Sequence, residues 1–357
     1  MEQNNRIVLL DSFRAIAIIM VIFFHFFSRW TNLYPYQDRY DFFRLGKFGV
    51  HFFFMISGFV IFFTLNKTKT LRQFWINRFI RLFPSMLFAS LLTYIFFNLF
   101  DNTFLFPTSH YFKNILASIT FLQPDLITSL IRHKIDLDYI SGSYWSLWVE
   151  IQFYVLASFL YFFYQRKFYS YFFIMAGLLI ASNFFLSHIY VNNAVILKLK
   201  AFRSIFNLAD ALPFFCLGSI LYIFYENNLK QIKNSIWEKS TFLFFTFLLV
   251  ISNCQDFKKL MLILFFIFMF LLMIYSPKRI SFLNNKILNS IGVSSYFLYL
   301  IHENIGVFLI HNNGIEFSFS PFLAPIFYML ILIIFSVFFT KYIEERIVLL
   351  LKKSDKF

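Results

Sequence analysis

Charged residues are scarce in this 357-residue chain, where Asp, Glu, Lys and Arg together make up 14%, against roughly 25% in soluble domains. Hydrophobic residues make up 59%, and phenylalanine alone fills 59 positions. A soluble core cannot bury that much apolar surface, so the composition excludes an ordinary soluble domain. Long unbroken apolar runs also exclude a porin-like barrel, whose strands alternate over about ten residues. The sequence predicts an all-α polytopic membrane protein.

Cysteine and the common catalytic motifs are equally scarce. The two cysteines, Cys216 and Cys254, fall on different predicted helices, so they form no disulfide framework and no metal-ligand spacing. The CxxC, HExxH and GxSxG motifs and a Gly-rich phosphate loop are absent. We therefore expect no metal. We attribute the net charge of +14 to the positive-inside bias of a membrane protein, so no nucleic-acid partner is expected.

About ten apolar segments are predicted to span the lipid bilayer as one bundle around a central polar cavity. They are 8–28, 46–66, 80–100, 144–164, 169–189, 207–226, 239–253, 257–275, 288–311 and 321–343. An even number puts both termini on one side, and the excess of Lys and Arg in the loops makes that side cytoplasmic. We expect one domain over 1–357 with a retained N-terminal anchor, without internal repeats or a fused extracellular domain.

Two ionisable residues, Arg14 and His25, lie in the first predicted span, eleven positions apart. At 3.6 residues per turn they point from the same helical face, roughly 16 Å apart along the axis. Ionisable residues inside a membrane usually face a bundle interior or a water-filled cavity. The alternative is that Arg14 reaches the inner headgroups and His25 lies near the outer interface. The aligned pair favours a polar track through most of the bilayer.

Counting along the predicted helices gives the depth of other polar residues. At 1.5 Å per residue, His25, His302, Glu150 and His51 fall in the outer half of a ~30 Å core. Such agreement in depth is what a shared site requires. Glu150 has the alternative of being a surface acid near interfacial tryptophans. His302 has the alternative of being a core histidine bonded to Tyr299 one turn earlier.

A basic pair marks the inner side of the third span. Arg78 and Arg81 share one helical face, and Pro84 is expected to open the span. Guanidinium groups bind phosphates in bidentate fashion, and a helix N-terminus beside them adds backbone donors. The pair fits a polyphosphate ligand from the cytoplasm, or alternatively an ordinary positive-inside anchor.

Six motifs follow one another in an order that resembles one known family. They are LDSFRAIAIIMVIFFH with Arg14 and His25, GVHFFFMISGFVI with Ser57, RFIRLFP through Arg78, Arg81 and Pro84, SYWSLWVEIQFYV, PFFCLGSILY, and SSYFLYLIH ending at His302. The chain resembles the integral-membrane acyltransferase family 3, the O-acyltransferases (often O-acetyltransferases) of bacterial surface glycans. One departure is Ile151, which stands where the family often has a second glutamate.

The resemblance implies an acyl-CoA donor, most simply acetyl-CoA, and a carbohydrate or lipid-linked glycan acceptor such as O-antigen, capsule or exopolysaccharide. It also implies a multi-pass protein of the bacterial inner membrane. The expected catalytic residues are His25 as general base or acyl carrier, Glu150 orienting it, Arg14 along the donor path, and His302 with Tyr299 donating to the oxyanion. Arg78, Arg81 and Arg14 are expected to bind the donor, Asp11 to hold Arg14, and Trp145, Tyr299 and Ser57 to contact substrate.

Two other classes fit a polar stripe through a bundle. A glycan or lipid transporter uses the same cavity without chemistry, and an acyl-CoA-binding membrane protein would bind the donor without turnover. Transport leaves the mass of the glycan unchanged, whereas acetylation adds an acetyl group. Product mass therefore separates the classes.

Overall fold

The computed structural model describes residues 7–33, 37–132, 135–189, 193–313 and 320–354. Within these ranges the chain forms helices and no β-strand, which confirms the predicted all-α class. The α-helices of the described residues are α1 Val8–Phe24, α2 Gly49–Leu65, α3 Leu71–Phe100, α4 Phe112–Ile119, α5 Pro124–Leu130, α6 Trp145–Tyr164, α7 Phe168–His188, α8 Ala194–Ile205, α9 Leu208–Leu229, α10 Ile236–Asn253, α11 Phe257–Tyr275, α12 Lys286–Asn313, α13 Leu323–Phe339 and α14 Glu345–Ser354.

Each predicted span coincides with a long helix of the described chain, namely α1, α2, α3, α6, α7, α9, α10, α11, α12 or α13. Eight helical stretches in the described ranges are long and apolar enough to cross a membrane. The stretch Gly142–His188 contains both α6 and α7, whereas α10 is not among the eight. A polytopic membrane protein is confirmed, and the number ten stays a prediction.

The third span corrects one expectation. α3 begins at Leu71, nine residues before the predicted start, and Pro84 lies inside it. Proline is tolerated inside membrane helices because neighbouring groups satisfy the freed backbone. The expectation that a helix N-terminus lies beside Arg78 and Arg81 is therefore wrong.

The chain packs as two compact units. The first comprises Met1–Val50, Asn77–Ser146 and Phe282–Phe357, and the second comprises His51–Ile76 and Leu147–Ser281. Each unit draws on distant parts of the sequence. Whether the two act as the single domain expected from the sequence stays a prediction.

In the first unit, α1 and α12 approach closely because small residues lie between them. Gly292 faces the backbone of Asp11 so closely that a Cβ atom at this position would collide with it. Gly306 in the same way leaves room for the ring of Phe26. The hydroxyl of Ser12 donates to the carbonyl of Leu283 at 2.8 Å. Small residues at helix contacts are the usual route to close packing in membranes.

In the second unit, α2 and α9 also approach closely through glycines. Gly58 lies against the backbone of Phe215, and Gly218 lies against the backbone of Met55. Stacked aromatic rings surround the contact, with Phe153 and Phe215 centroids 4.1 Å apart. The many phenylalanines thus fill the interior of the unit as well as its surface.

The connection between α3 and α6 is ordered around a buried carboxylate. Asp101 is 3% exposed and accepts hydrogen bonds from His110 Nε2 at 3.0 Å and the Thr103 hydroxyl at 2.8 Å. Burial opposes ionisation of Asp101, but the donors of His110, Thr103 and two backbone amides outweigh it and lower its pKa to about 2. The segment is therefore a folded part of the first unit.

Candidate active site

His25 lies where α1 changes its winding. The helix continues past Phe24 as a π-helix, His25–Arg29, and the His25 side chain is buried. Such short π segments widen a helix by one residue and occur often at functional sites. The imidazole of His25 lies against α12.

On α12, the histidine predicted at the same depth meets it. His302 Nε2 lies 2.9 Å from His25 Nδ1, and His302 is fully buried. The Nδ1 atom of His302 lies 2.7 Å from the carbonyl oxygen of Tyr299, so the alternative of a core histidine bonded one turn back is also realised. The structure brings the two histidines together, while their catalytic roles stay predictions.

Two backbone carbonyls fix the tautomers of this pair. A carbonyl oxygen only accepts, so His302 Nδ1 carries the proton it donates to Tyr299. His25 Nδ1 lies 3.1 Å from the carbonyl of Val21 and by the same reasoning is protonated. The Nε2 atom of neutral His302 then accepts from His25. In this tautomer neutral His25 keeps its lone pair on Nε2.

A carboxylate that the sequence reasoning missed faces this nitrogen. Glu303 Oε1 lies 3.4 Å from His25 Nε2, and Glu303 is 4% exposed. Because an unprotonated Nε2 and an ionised carboxylate both only accept, a hydrogen bond between them requires a proton on one of the two groups. Arg29, at the end of the π-helix, lies near enough for its charge to act on both side chains. An acid directly after His302, deep in an apolar span, is costly. The presence of an acid in such a span is the sequence signal that could have identified Glu303.

The next residue, Asn304, joins α12 to the loop between α3 and α6. Its Nδ2 donates to Ser109 Oγ at 2.9 Å and to the carbonyl of Ile140 at 3.3 Å. Gly142 of this loop lies against the Glu303 carboxylate, where a Cβ atom would be 3.4 Å from Oε2. The loop thus forms one wall of the site.

Tyr299 belongs to the same wall. Its hydroxyl donates to the carbonyl of Ser143 at 2.8 Å and lies 2.7 Å from Ser146 Oγ. A tyrosine hydroxyl has one proton, so the proton that Tyr299 gives to Ser143 is not available to an oxyanion. In this arrangement Tyr299 holds the loop against α12, and its expected roles toward the oxyanion and the substrate stay predictions.

Toward the other end of α1, Arg14 forms the expected pair with Asp11. The Nη1 atom of Arg14 lies 3.0 Å from Asp11 Oδ1, with Asp11 almost fully buried and Arg14 partly exposed. The expectation that Asp11 holds the guanidinium is confirmed. Arg78 is buried and Arg81 is exposed one turn later on α3, so the two cations differ in their access to solvent.

Glu150 has partners of its own in the second unit. Its Oε1 accepts from Ser57 Oγ at 2.6 Å and from the Tyr154 hydroxyl at 2.5 Å. Ser57 thus presents its hydroxyl proton to a carboxylate. Trp145, the first residue of α6, is 44% exposed. Roles of Glu150 in orienting His25, and of Ser57 and Trp145 in contacting substrate, stay predictions.

These features define a polytopic membrane protein with a buried histidine pair and a carboxylate at one site. The family model described as an acyltransferase domain matches residues 7–341. The chain therefore belongs to this acyltransferase family, as the resemblance from sequence predicted.

One curated relative shares part of the chain. An O-acetyl transferase of Shigella phage Sf6 is 31% identical over 153 residues, which cover 41% of this chain and 43% of that protein. The match thus spans less than half the length of the curated relative. No solved structure matches the chain.

Proposed function

We propose that this protein is a membrane O-acyltransferase. It moves an acyl group, most simply acetyl, from cytoplasmic acyl-CoA to a hydroxyl of a surface carbohydrate such as O-antigen, capsule or exopolysaccharide. The family match and the name of the phage relative support this reaction class. The observation that carries the proposal is the Nε2 atom of His25 facing Glu303 at 3.4 Å inside a membrane bundle.

His25 acts as the general base in this proposal. An acceptor hydroxyl that approaches His25 Nε2 and Glu303 from one side gives its proton to Nε2 while its oxygen attacks the thioester carbonyl. Collapse of the tetrahedral intermediate breaks the C–S bond and releases CoA thiolate, which takes the proton back from the imidazolium. Glu303 stabilises the imidazolium in the interval because it faces the same nitrogen.

His302 is a positioning residue here. Its Nε2 accepts from His25 Nδ1 at 2.9 Å, and its own Nδ1 is anchored on the Tyr299 carbonyl. This chain keeps the His25 proton on Nδ1 and the lone pair on Nε2. The same bonding leaves His302 no free donor in its neutral form, so we assign it this role instead of the oxyanion donor expected from sequence.

The donor is proposed to approach from the cytoplasm, with both termini on that side of the bacterial inner membrane. Arg81, exposed on α3, and the neighbouring Arg78 are proposed to hold the CoA phosphates. Arg14, fixed by Asp11 at 3.0 Å, lies along the path of the pantetheine arm. The thioester end then meets the acceptor at His25.

Mass spectrometry of surface glycans tests the proposal. A deletion strain is compared with strains carrying the parent protein, His25→Ala or His188→Ala, the last a matched control at an exposed histidine of α7. We expect the parent and His188→Ala to restore the added acyl mass and His25→Ala to leave it absent at equal membrane abundance. A glycan mass that is the same in the deletion and parent strains contradicts the proposal and favours transport.

A further inference from the structure

The short helix α4 has its polar and apolar sides reversed relative to a soluble protein. Asn114 and Ser118 are buried, while Phe112 and Leu116 are 55% and 54% exposed. Phe112, Leu116 and Ile119 follow one another at i, i+4 and i+7, so they lie on one face. Asn114 and Ser118 lie on the opposite face, and Ile115 and Ala117 are buried with them. Amphipathic helices at an aqueous surface show the opposite pattern.

The buried polar face is fully used inside the first unit. Asn114 Nδ2 donates to the carbonyl of Thr108 at 2.8 Å, and its Oδ1 accepts from the Asp138 amide at 3.0 Å. Ser118 Oγ accepts from the Ile140 amide at 3.0 Å. These bonds fix the rotation of α4 about its axis. The fold itself therefore determines that the apolar face is exposed.

That face continues the exposed side of α3. Ile95 and Leu99 of α3 are 52% and 66% exposed, and α3 is one of the helices long and apolar enough to cross a membrane. The ring of Phe112 contacts that of Tyr94 with centroids 5.8 Å apart. Asn98 Nδ2 also lies 3.4 Å from the carbonyl of His110. The exposed apolar side of α3 thus continues onto α4.

We infer that α4 lies in the bilayer interface at the Phe100 end of α3, with Phe112, Leu116 and Ile119 among the phospholipid acyl chains. Interfacial segments carry aromatic rings at headgroup level and cations near phosphates. Tyr111 directly precedes the helix with 49% of its surface exposed, and the Lys113 ammonium lies 5.3 Å from the centre of its ring. The segment between α3 and α6 thus has one lipid-embedded side.

An environment-sensitive fluorophore tests this placement without reference to activity. Single cysteines are introduced as Phe112→Cys and Leu116→Cys in a Cys254→Ser background, where the remaining Cys216 is buried. Asp136→Cys, at an exposed acidic residue of the same loop, is the matched control. The full chain is labelled with nitrobenzoxadiazole and reconstituted in phosphatidylcholine vesicles with or without nitroxide-bearing lipid.

We expect emission from positions 112 and 116 to be shifted to the blue and strongly quenched by shallow nitroxide lipid, while position 136 shows neither effect. Emission and quenching at 112 and 116 that equal those at 136 would place the helix in water and overturn the inference. A blue shift without quenching, together with disulfide cross-linking between copies at 116, would also overturn it because a second copy then covers the face.

Discussion

The side chain of His25 is held by groups that accept its Nδ1 proton, and its other nitrogen meets a carboxylate. Val21 and His302 occupy the Nδ1 side at 3.1 and 2.9 Å, and Glu303 occupies the Nε2 side at 3.4 Å. This is the arrangement that a general base needs, because the carboxylate becomes useful only when the imidazole takes a proton.

Replacing the carboxylate isolates that effect. In Glu303→Gln the shape is kept but the charge that stabilises imidazolium is lost, so we expect kcat to fall about 10²-fold or more while KM for acyl-CoA is unchanged. Glu345→Gln, at an exposed glutamate of α14, is the control and is expected to act as the parent. Steady-state kinetics with membranes of equal protein content measures both, and a parental kcat in Glu303→Gln would remove Glu303 from the mechanism.

A second buried carboxylate, Asp101, is expected to determine the pH below which the loop between α3 and α6 loses stability. Its donors lower its pKa to about 2 despite burial. Because the folded pKa lies below that of the unfolded chain, the stabilisation is present above about pH 4 and is lost as pH falls toward 2. Thermal unfolding in detergent at a series of pH values should show this loss in the parent.

The variant Asp101→Asn should be less stable than the parent near neutral pH and should lose less stability between about pH 4 and pH 2. Asp136→Asn, at an exposed residue of the same loop, should follow the parent curve. If the melting temperatures of Asp101→Asn and the parent fall in parallel as the pH is lowered, Asp101 is not the residue whose protonation destabilises the loop.

Sequence reasoning reached some of these residues and missed others for definable reasons. Counting depth along helices was enough to bring His25 and His302 to one level, and helical spacing was enough to pair Asp11 with Arg14. Glu303 was missed although it is adjacent to His302. The bonding of Tyr299 to Ser143 depends on how a loop folds back onto α12, which no local pattern records.

At the scale of elements, glycines determine how closely the helices approach. In Gly292→Ala the added methyl would collide with the backbone of Asp11 on α1, and such overpacking costs about 1–3 kcal/mol. Gly177→Ala in α7 is the control because nothing lies within 4 Å of the added atom. There the better helix propensity of alanine should stabilise by about 0.5–1 kcal/mol.

Melting temperatures of the two purified variants check this prediction. We expect that of Gly292→Ala to fall and that of Gly177→Ala to hold or rise. Equal behaviour of the two variants would mean that α1 and α12 are not packed through Gly292. Because Asp11 holds Arg14, the shift in Gly292→Ala should also weaken acyl transfer.

The basic pair of α3 makes a separate prediction about the donor. With Arg81→Ala one exposed guanidinium is lost, and we expect KM for acyl-CoA to rise about tenfold, the usual loss for a charge-assisted hydrogen bond to phosphate. Arg279→Ala, at an exposed arginine of the second unit, is the control. An unchanged KM in Arg81→Ala would leave the pair as a positive-inside anchor.

Elements were easier to predict than their ends and irregularities. The ten predicted spans were located from apolar runs of sufficient length, because about 20 consecutive apolar residues are enough to indicate a membrane-spanning helix. Pro84 was taken as a start, but α3 continues through it. The π-helical turn at His25–Arg29 and the reversed faces of α4 depend on tertiary contacts, and their sequences show no matching break in periodicity.

For the whole molecule, the family match across residues 7–341 joins the site in the first unit to a known enzyme family. The first unit contains the histidine pair, Glu303, Arg14 and the basic pair of α3. The proposed reaction thus draws its base and its donor-binding cations from that unit. The roles expected from the sequence for Glu150, in orienting His25, and for Ser57, in contacting substrate, stay predictions.

Transfer of radiolabelled acetyl from acetyl-CoA to the glycan of isolated membranes tests the central claim most directly. The account predicts labelled glycan with the parent protein and with His188→Ala, and none above background with His25→Ala present at equal abundance. Labelling by His25→Ala at the parental rate would contradict the assignment of His25 as the base.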